Sequence, residues 1–206
     1  MNEEISKNDI LNKYKSCLYN IQMRMNVIEN HLSKKYTEKF LICEIEFLCL
    51  QFRKIIENIA FSSMCININE YKKIREKYYT DWNMKGIFRE LEKINPNFYP
   101  KPVIRELVNT DSNGNNEYDL QEYKGDYLSK EDVFEIYNRC SNFIHESNPF
   151  MSNLLKYNEY MNNFKIWLLK TKNLMKHHII HIDNNIIIGI IDISKNFPEA
   201  YIFEEI

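Results

Sequence analysis

Residues 40–61 read FLICEIEFLCLQFRKIIENIAF, and the reading of this run decides the architecture. Phe40, Leu41, Ile42, Ile45, Phe47, Leu48, Leu50, Phe52, Ile55, Ile56, Ile59 and Phe61 surround a helix instead of lining one stripe of it. A helix that is apolar around most of its circumference belongs at the centre of a bundle, where neighbours cover every side. Its span is predicted from near Thr37 to about Ile66. One polar sector remains: Lys39, Glu46, Arg53 and Glu57 step by seven, seven and four, so they share a narrow angular range. Such a stripe is either the wet edge of the helix, with an Arg53–Glu57 pair one turn apart, or the lining of a cleft.

Working outward, Ile10, Tyr14, Cys17, Leu18, Ile21, Met25, Ile28 and Leu32 recur at steps of three and four, which predicts an amphipathic helix over about 6–35. The short link to the central helix favours an antiparallel hairpin. A third helical region covers 69–94, with a break near Thr80 and Asp81 where either residue can cap a new start. Pro96, Pro100 and Pro102 then stop it, and VIRELV and EYDLQEY flank Asn113-Gly114 as a small β-hairpin insertion over about 103–123. Ser129-Lys-Glu-Asp132 opens a helix that ends before Asn148-Pro149, because a residue ahead of proline is pushed out of helical geometry. Another helix follows over about 150–175, and HHIIHID, an Asn184-Asn185 turn, IIIGIIDI and AYIFEE read as a C-terminal antiparallel β meander over about 178–204. The predicted fold is mainly α: an antiparallel helical bundle forming one domain over 1–206, with the bundle and its hairpin in 1–175 and a β appendage in 176–206.

A chain of 206 residues that is 44% hydrophobic carries enough apolar surface for one sizeable core, and 4 Gly with 5 Pro leave long helices uninterrupted. The formal net charge of -2 excludes a protein that coats nucleic acid indiscriminately, since that affinity comes from neutralising many phosphates, but it leaves room for a local phosphate site. Cys17, Cys43, Cys49, Cys65 and Cys140 show no Cys-x-x-Cys, so they read as small buried hydrophobes in a reducing compartment. The N-terminus lacks the apolar segment of a secretory signal, and no run approaches the roughly 18 apolar residues of a membrane span. A soluble, cytoplasmic protein is the expectation.

Chemistry concentrates in residues 138–150, NRCSNFIHESNPF. On a helix advancing about 100° per residue, Arg139, Asn142 and His145 occupy one third of the circumference, with Phe143 on the other side. A guanidinium can hold a phosphate and offset its growing charge, an imidazole can move a proton, and an amide can orient either. Arg24 and His31 show similar spacing, so context must separate the two sites.

That context is YNRCSNFIHESNPF in a late helix, together with LQFRKIIENIAFSS in the polar-striped central helix. It resembles the HEPN superfamily, α-helical domains of which many are metal-independent ribonucleases marked by an Arg, four to six residues, His motif. Cys140 departs from the pattern, since a polar residue often follows the Arg directly and here appears only at Ser141 and Asn142. The resemblance implies Arg139 and His145 as the catalytic pair with Asn142 orienting, and Glu46, Arg53, Glu57 and Ser141 as residues supporting the cleft. It further implies a homodimer with facing motifs, attack by the ribose 2'-hydroxyl to leave a 2',3'-cyclic phosphate, and a toxin or antiviral role with an antitoxin or regulatory partner. No cofactor and no metal are implied. The alternative is a non-catalytic HEPN-like helical module that binds RNA or a protein.

Remaining candidates are weaker. His177, His178 and His181 lack the extra Cys or carboxylate ligand that a closed zinc site needs, and read instead as a polar strand face. Beside them Lys170, Lys172 and Lys176 form a basic rim suited to an RNA backbone. Tyr78, Tyr79 and Trp82 have ring faces that can stack on bases, but aromatics at helical spacing are more often core, and that is the expectation here. No Gly-rich phosphate loop, nucleophile elbow or His-Glu-x-x-His is present.

Overall fold

The structure is a computed structural model that describes residues 4–34, 41–110, 112–114, 116–145, 157–182 and 185–204. Helix α1 (Lys7–Leu32) starts where the Ser6 hydroxyl accepts the Asp9 amide, 3.2 Å away, and it buries Ile10, Tyr14, Leu18, Ile21, Met25 and Ile28 along one face. Helix α2 (Leu41–Ile66) is central, with Ile45, Leu48, Phe52, Ile55, Ile56 and Ile59 all buried. The expected start of this helix, Thr37 to Phe40, and with it Lys39, lies outside the described residues.

The helical region predicted over 69–94 divides into α3 (Ile68–Ile74), a 3-10 turn (Tyr78–Thr80) and α4 (Met84–Ile94). Helix α4 buries Met84, Ile87, Phe88 and Leu91. Helix α5 (Lys130–Ile144) and helix α6 (Tyr157–Met175) complete the bundle, and residues 146–156, with the anticipated Asn148-Pro149 stop, lie outside the described residues. Phe52 of α2 stacks on Phe164 of α6 with ring centroids 5.6 Å apart, and Trp167 meets both rings edge-on.

Strands β1 (Lys101–Thr110), β2 (Asn116–Glu122), β3 (His177–Ile182), β4 (Asn185–Ile190) and β5 (Glu199–Glu204) form one five-stranded antiparallel sheet in the order β2-β1-β3-β4-β5. The sequence suggested two separate β pieces, and they are joined. The joint is small: β1 pairs with β3 only at Lys101↔Ile179 and Pro102↔His178. Between β1 and β2, Gly114 takes φ 81°, in the left-handed region that glycine adopts without a Cβ clash. The Asn184-Asn185 turn falls at the edge of residues 183–184, which are not described.

One face of β3, β4 and β5 packs into the same core as α1: His178, Ile180, Ile187 and Ala200 are all buried there. The Gln22 amide donates to the carbonyls of Asp192 at 3.3 Å and Lys195 at 2.7 Å, tying α1 to the segment after β4. Among the described residues no helix is long and apolar enough to cross a membrane.

Candidate active site

Helix α5 carries the motif, and its start is fixed by a reciprocal capping box. The Ser129 hydroxyl accepts the Asp132 amide at 3.1 Å, and the Asp132 carboxylate accepts the Ser129 amide at 3.0 Å. Two otherwise orphaned N–H groups are thereby satisfied. Val133, Ile136, Tyr137 and Cys140 bury one face of the helix. The other end comes at Ile144, where His145 adopts extended backbone (φ -83°, ψ 137°). His145 is therefore not on the helical wheel with Arg139 as the spacing anticipated; it caps the helix, and its side chain is exposed.

Arg139 is one turn and a half back and is 32% exposed. Its guanidinium reaches Glu159 of α6 at 3.0 Å and Glu135 at 3.5 Å, and lies 5.6 Å from the ring centroids of both Tyr160 and Trp167. Partial burial opposes the charge, but the two carboxylates outweigh it and raise the Arg139 pKa above the ordinary guanidinium value. The group is thus a fixed cation on an aromatic shelf. Glu159, Tyr160 and Trp167 were not singled out from the sequence. Glu135 stands one turn before Arg139 and was visible as an i, i+4 pair, and Tyr160 and Trp167 share a helix face, but nothing local links α6 to α5.

The supporting residues divide. Arg53 turns toward α5: its Nη2 donates to the Tyr137 hydroxyl at 3.1 Å and its charge sits 4.9 Å from that ring. Glu57 is buried, 3.7 Å from Arg53 and 2.9 Å from the Lys54 ammonium. The stripe is therefore not simply a wet edge, since its middle packs beneath the motif helix. Ser141 is used up locally, its hydroxyl donating to the Tyr137 carbonyl at 2.6 Å, whereas Asn142 is exposed and Glu46 half-buried.

Cys140 is buried; the neighbouring Cys49 thiol and burial push its pKa up, so it stays a neutral thiol despite Arg53 and Arg139 nearby. It joins α5 to α2 by packing. The expectation of uniformly buried cysteines fails at Cys43, which is exposed.

The basic rim does not converge. Lys170 reaches back to Asp132 at 3.1 Å and Asp126 at 3.2 Å, Lys172 holds Glu29 of α1 at 2.6 Å, and Lys176 is exposed. Two residues apart on a helix, Lys170 and Lys172 point to different neighbours. The alternative Arg24 and His31 site is structural: Arg24 donates to Gln51 at 2.7 Å, and His31 pairs with Glu44 beside the Phe47 ring.

The three C-terminal histidines are also separated. Strand parity puts His177 and His181 on one sheet face and His178 on the other. His178 is fully buried; its Nδ1 donates to the Met175 carbonyl at 3.2 Å, so its Nε2 accepts the Tyr14 hydroxyl at 2.7 Å. Burial lowers its pKa to about 4, which makes it a neutral core residue. Among the described residues no group of three or more His, Cys, Asp or Glu is placed to hold a metal ion.

The core expectation for Tyr79 and Trp82 is overturned. Tyr79 is 74% and Trp82 69% exposed, because the chain leaves helical geometry after Ile74 and the spacing that suggested a buried face has no helix beneath it. Comparison of the chain with protein-family models, curated proteins and solved structures returned no match.

Proposed function

We propose that this chain is an endoribonuclease of HEPN type, in which Arg139 and His145 cleave RNA without a metal ion. The observation that carries the reading is the end of α5: an exposed imidazole at the helix cap and, on the same helix, a partly exposed guanidinium held on a shelf of Tyr160 and Trp167. In the reaction the ribose 2'-hydroxyl oxygen attacks phosphorus and the bond to the 5'-oxygen breaks. One proton leaves the 2'-hydroxyl and one joins the departing 5'-oxygen; His145 carries one of these transfers, as base or acid, and solvent water the other. Arg139 binds the scissile phosphate and offsets the charge that builds on its oxygens, and exposed Asn142 orients the strand. The helical bundle is read as HEPN-like, with two protomers placing their motifs across a shared cleft, and a toxin or antiviral role under an antitoxin or regulator follows from the same resemblance.

A second reading has its own observation. The Arg139 guanidinium already bridges Glu135 of α5 and Glu159 of α6, which is what a purely structural arginine in a non-catalytic HEPN-like module would do. Kinetics with stability decide between the two. Arg139→Ala and His145→Ala should each lower the rate of RNA cleavage in EDTA by about a hundredfold or more, with His145→Ala leaving the melting temperature unchanged. Wild-type rates in both variants, or a fall in melting temperature with no wild-type cleavage to lose, would favour the binding module.

A further inference from the structure

The connector between α3 and α4 exposes two large aromatic rings that the core does not use, Tyr79 and Trp82. The rings are not on a loose loop. Asp81 sits at the centre of the connector, taking the Tyr71 hydroxyl at 2.9 Å and Nε of Arg75 at 3.1 Å, with Nη2 of Arg75 on its other oxygen. The Thr80 hydroxyl donates to the Lys77 carbonyl at 2.7 Å, and Asn83 caps α4 by accepting the Lys85 amide at 3.1 Å. Tyr78 meets Tyr79 in a T-shaped contact with centroids 5.8 Å apart, and most of the Tyr79 side chain stays exposed. Fixed rings held out into water forgo apolar burial, and a ligand that covers their faces restores it.

Charge identifies the ligand. Between Lys72 and Lys93 there are seven Lys and Arg against four Asp and Glu, in a chain whose formal net charge is -2. Lys77 and Lys85 flank the two rings, are exposed, and make no ion pair among the described residues. Beside Trp82 lies a cavity of about 280 Å³ lined by Arg75 and Arg89 together with their ion-pair partners Asp81 and Glu90, so among the described residues the unpaired cations of the patch are Lys77 and Lys85. The core of a protein–protein interface is depleted of charge, whereas here exposed lysines bracket the two rings in the chain, a mixture of the kind that stacks bases and tracks a phosphate backbone.

Position supports a link to the motif. Glu92 pairs with Lys130 at 2.6 Å and Phe88 packs on Phe134 at 5.7 Å, so α4 runs antiparallel to α5. In that sense of the chain, Glu92 and Phe88 meet the first turns of α5 and the start of α4 lies away from the α5 N-terminus. We propose that the α3–α4 connector is a platform for single-stranded RNA, with Tyr79 and Trp82 stacking bases and Lys77 and Lys85 meeting phosphates. This rests on the reading of the protein as an RNA-cleaving enzyme and adds where the strand is held.

The test uses the full chain and a labelled 2'-O-methyl oligoribonucleotide about 12 nucleotides long, which offers no 2'-hydroxyl and stays intact, with binding followed by fluorescence anisotropy. Trp82→Ala and Tyr79→Ala should each weaken binding about tenfold with unchanged melting temperature, since both rings are exposed. Lys77→Ala with Lys85→Ala should flatten the salt dependence. Failure of the parent to bind, or equal affinity in the ring variants, overturns the platform. Conversion of a dimer to a monomer by Trp82→Ala at unchanged RNA affinity would also overturn it and assign the patch to a second copy of the chain. Cleavage of ordinary RNA, measured separately, reports on Arg139 and His145: cleavage without platform binding sinks the platform alone, and binding without cleavage sinks the nuclease reading alone.

Discussion

Arg139 holds two carboxylates, and a phosphate that docks on it must share or displace them. Glu159 is the closer of the two and is half exposed, so its hold is that of a screened surface pair, worth well under about 1 kcal/mol. Glu159→Gln should therefore lower KM for RNA about threefold with kcat little changed, measured by steady-state cleavage; a collapse of kcat would mean that Glu159 positions the guanidinium for the chemistry. His178 gives a second prediction at this scale. Its folded pKa, about 4, lies below the ordinary histidine value of 6.5 because it is buried neutral against Tyr14. The unfolded chain therefore takes up a proton first as pH falls. The stability from this residue is complete above pH 6.5 and is lost as pH drops toward 4, a loss of about 3 kcal/mol. Urea unfolding between pH 7 and 4.5 should show that slope, and His178→Gln should flatten it. The candidate residues of α5 were legible in the sequence because they sit on one segment, whereas the Glu159 contact was not, being a pairing across 20 residues with no local signature.

At the scale of elements, α5 depends on its cap. The Ser129–Asp132 box also receives the Lys170 ammonium at 3.1 Å, so α6 is tied to the first turn of the motif helix. Ser129→Ala should cost about 1 kcal/mol, read by denaturant unfolding, with cleavage per folded molecule unchanged because the motif lies at the far end. The long helices were readable because apolar steps of three and four persist through α1 and surround α2. The α3–α4 connector was not: Tyr78, Tyr79 and Trp82 keep helical spacing, but the backbone turns extended at Arg75, whose side chain pairs with Asp81, and periodicity does not register such a helix end.

For the whole molecule, the sheet is what local patterns could least reveal. Alternation in 178–204 and the Asn113-Gly114 turn announce strands, but the union of β1 with β3 rests on two residue pairs far apart in the chain. Gly189 shows how tightly that sheet meets α1. A Cβ there would fall inside contact distance of His178 Nε2 and the Tyr14 hydroxyl, both fully buried with no room to yield. Gly189→Ala should destabilise the fold by about 2 kcal/mol, measured by thermal or urea unfolding, and a neutral outcome would mean that α1 and the sheet separate more easily than their packing implies. The central claim, that Arg139 and His145 cut RNA by internal attack without a metal, is tested most directly by the new 3' ends formed when wild-type protein meets single-stranded RNA in EDTA. A 2',3'-cyclic phosphate, absent with His145→Ala and absent on DNA of the same sequence, is the predicted result. Intact RNA, or fragments ending in a 3'-hydroxyl, would contradict it.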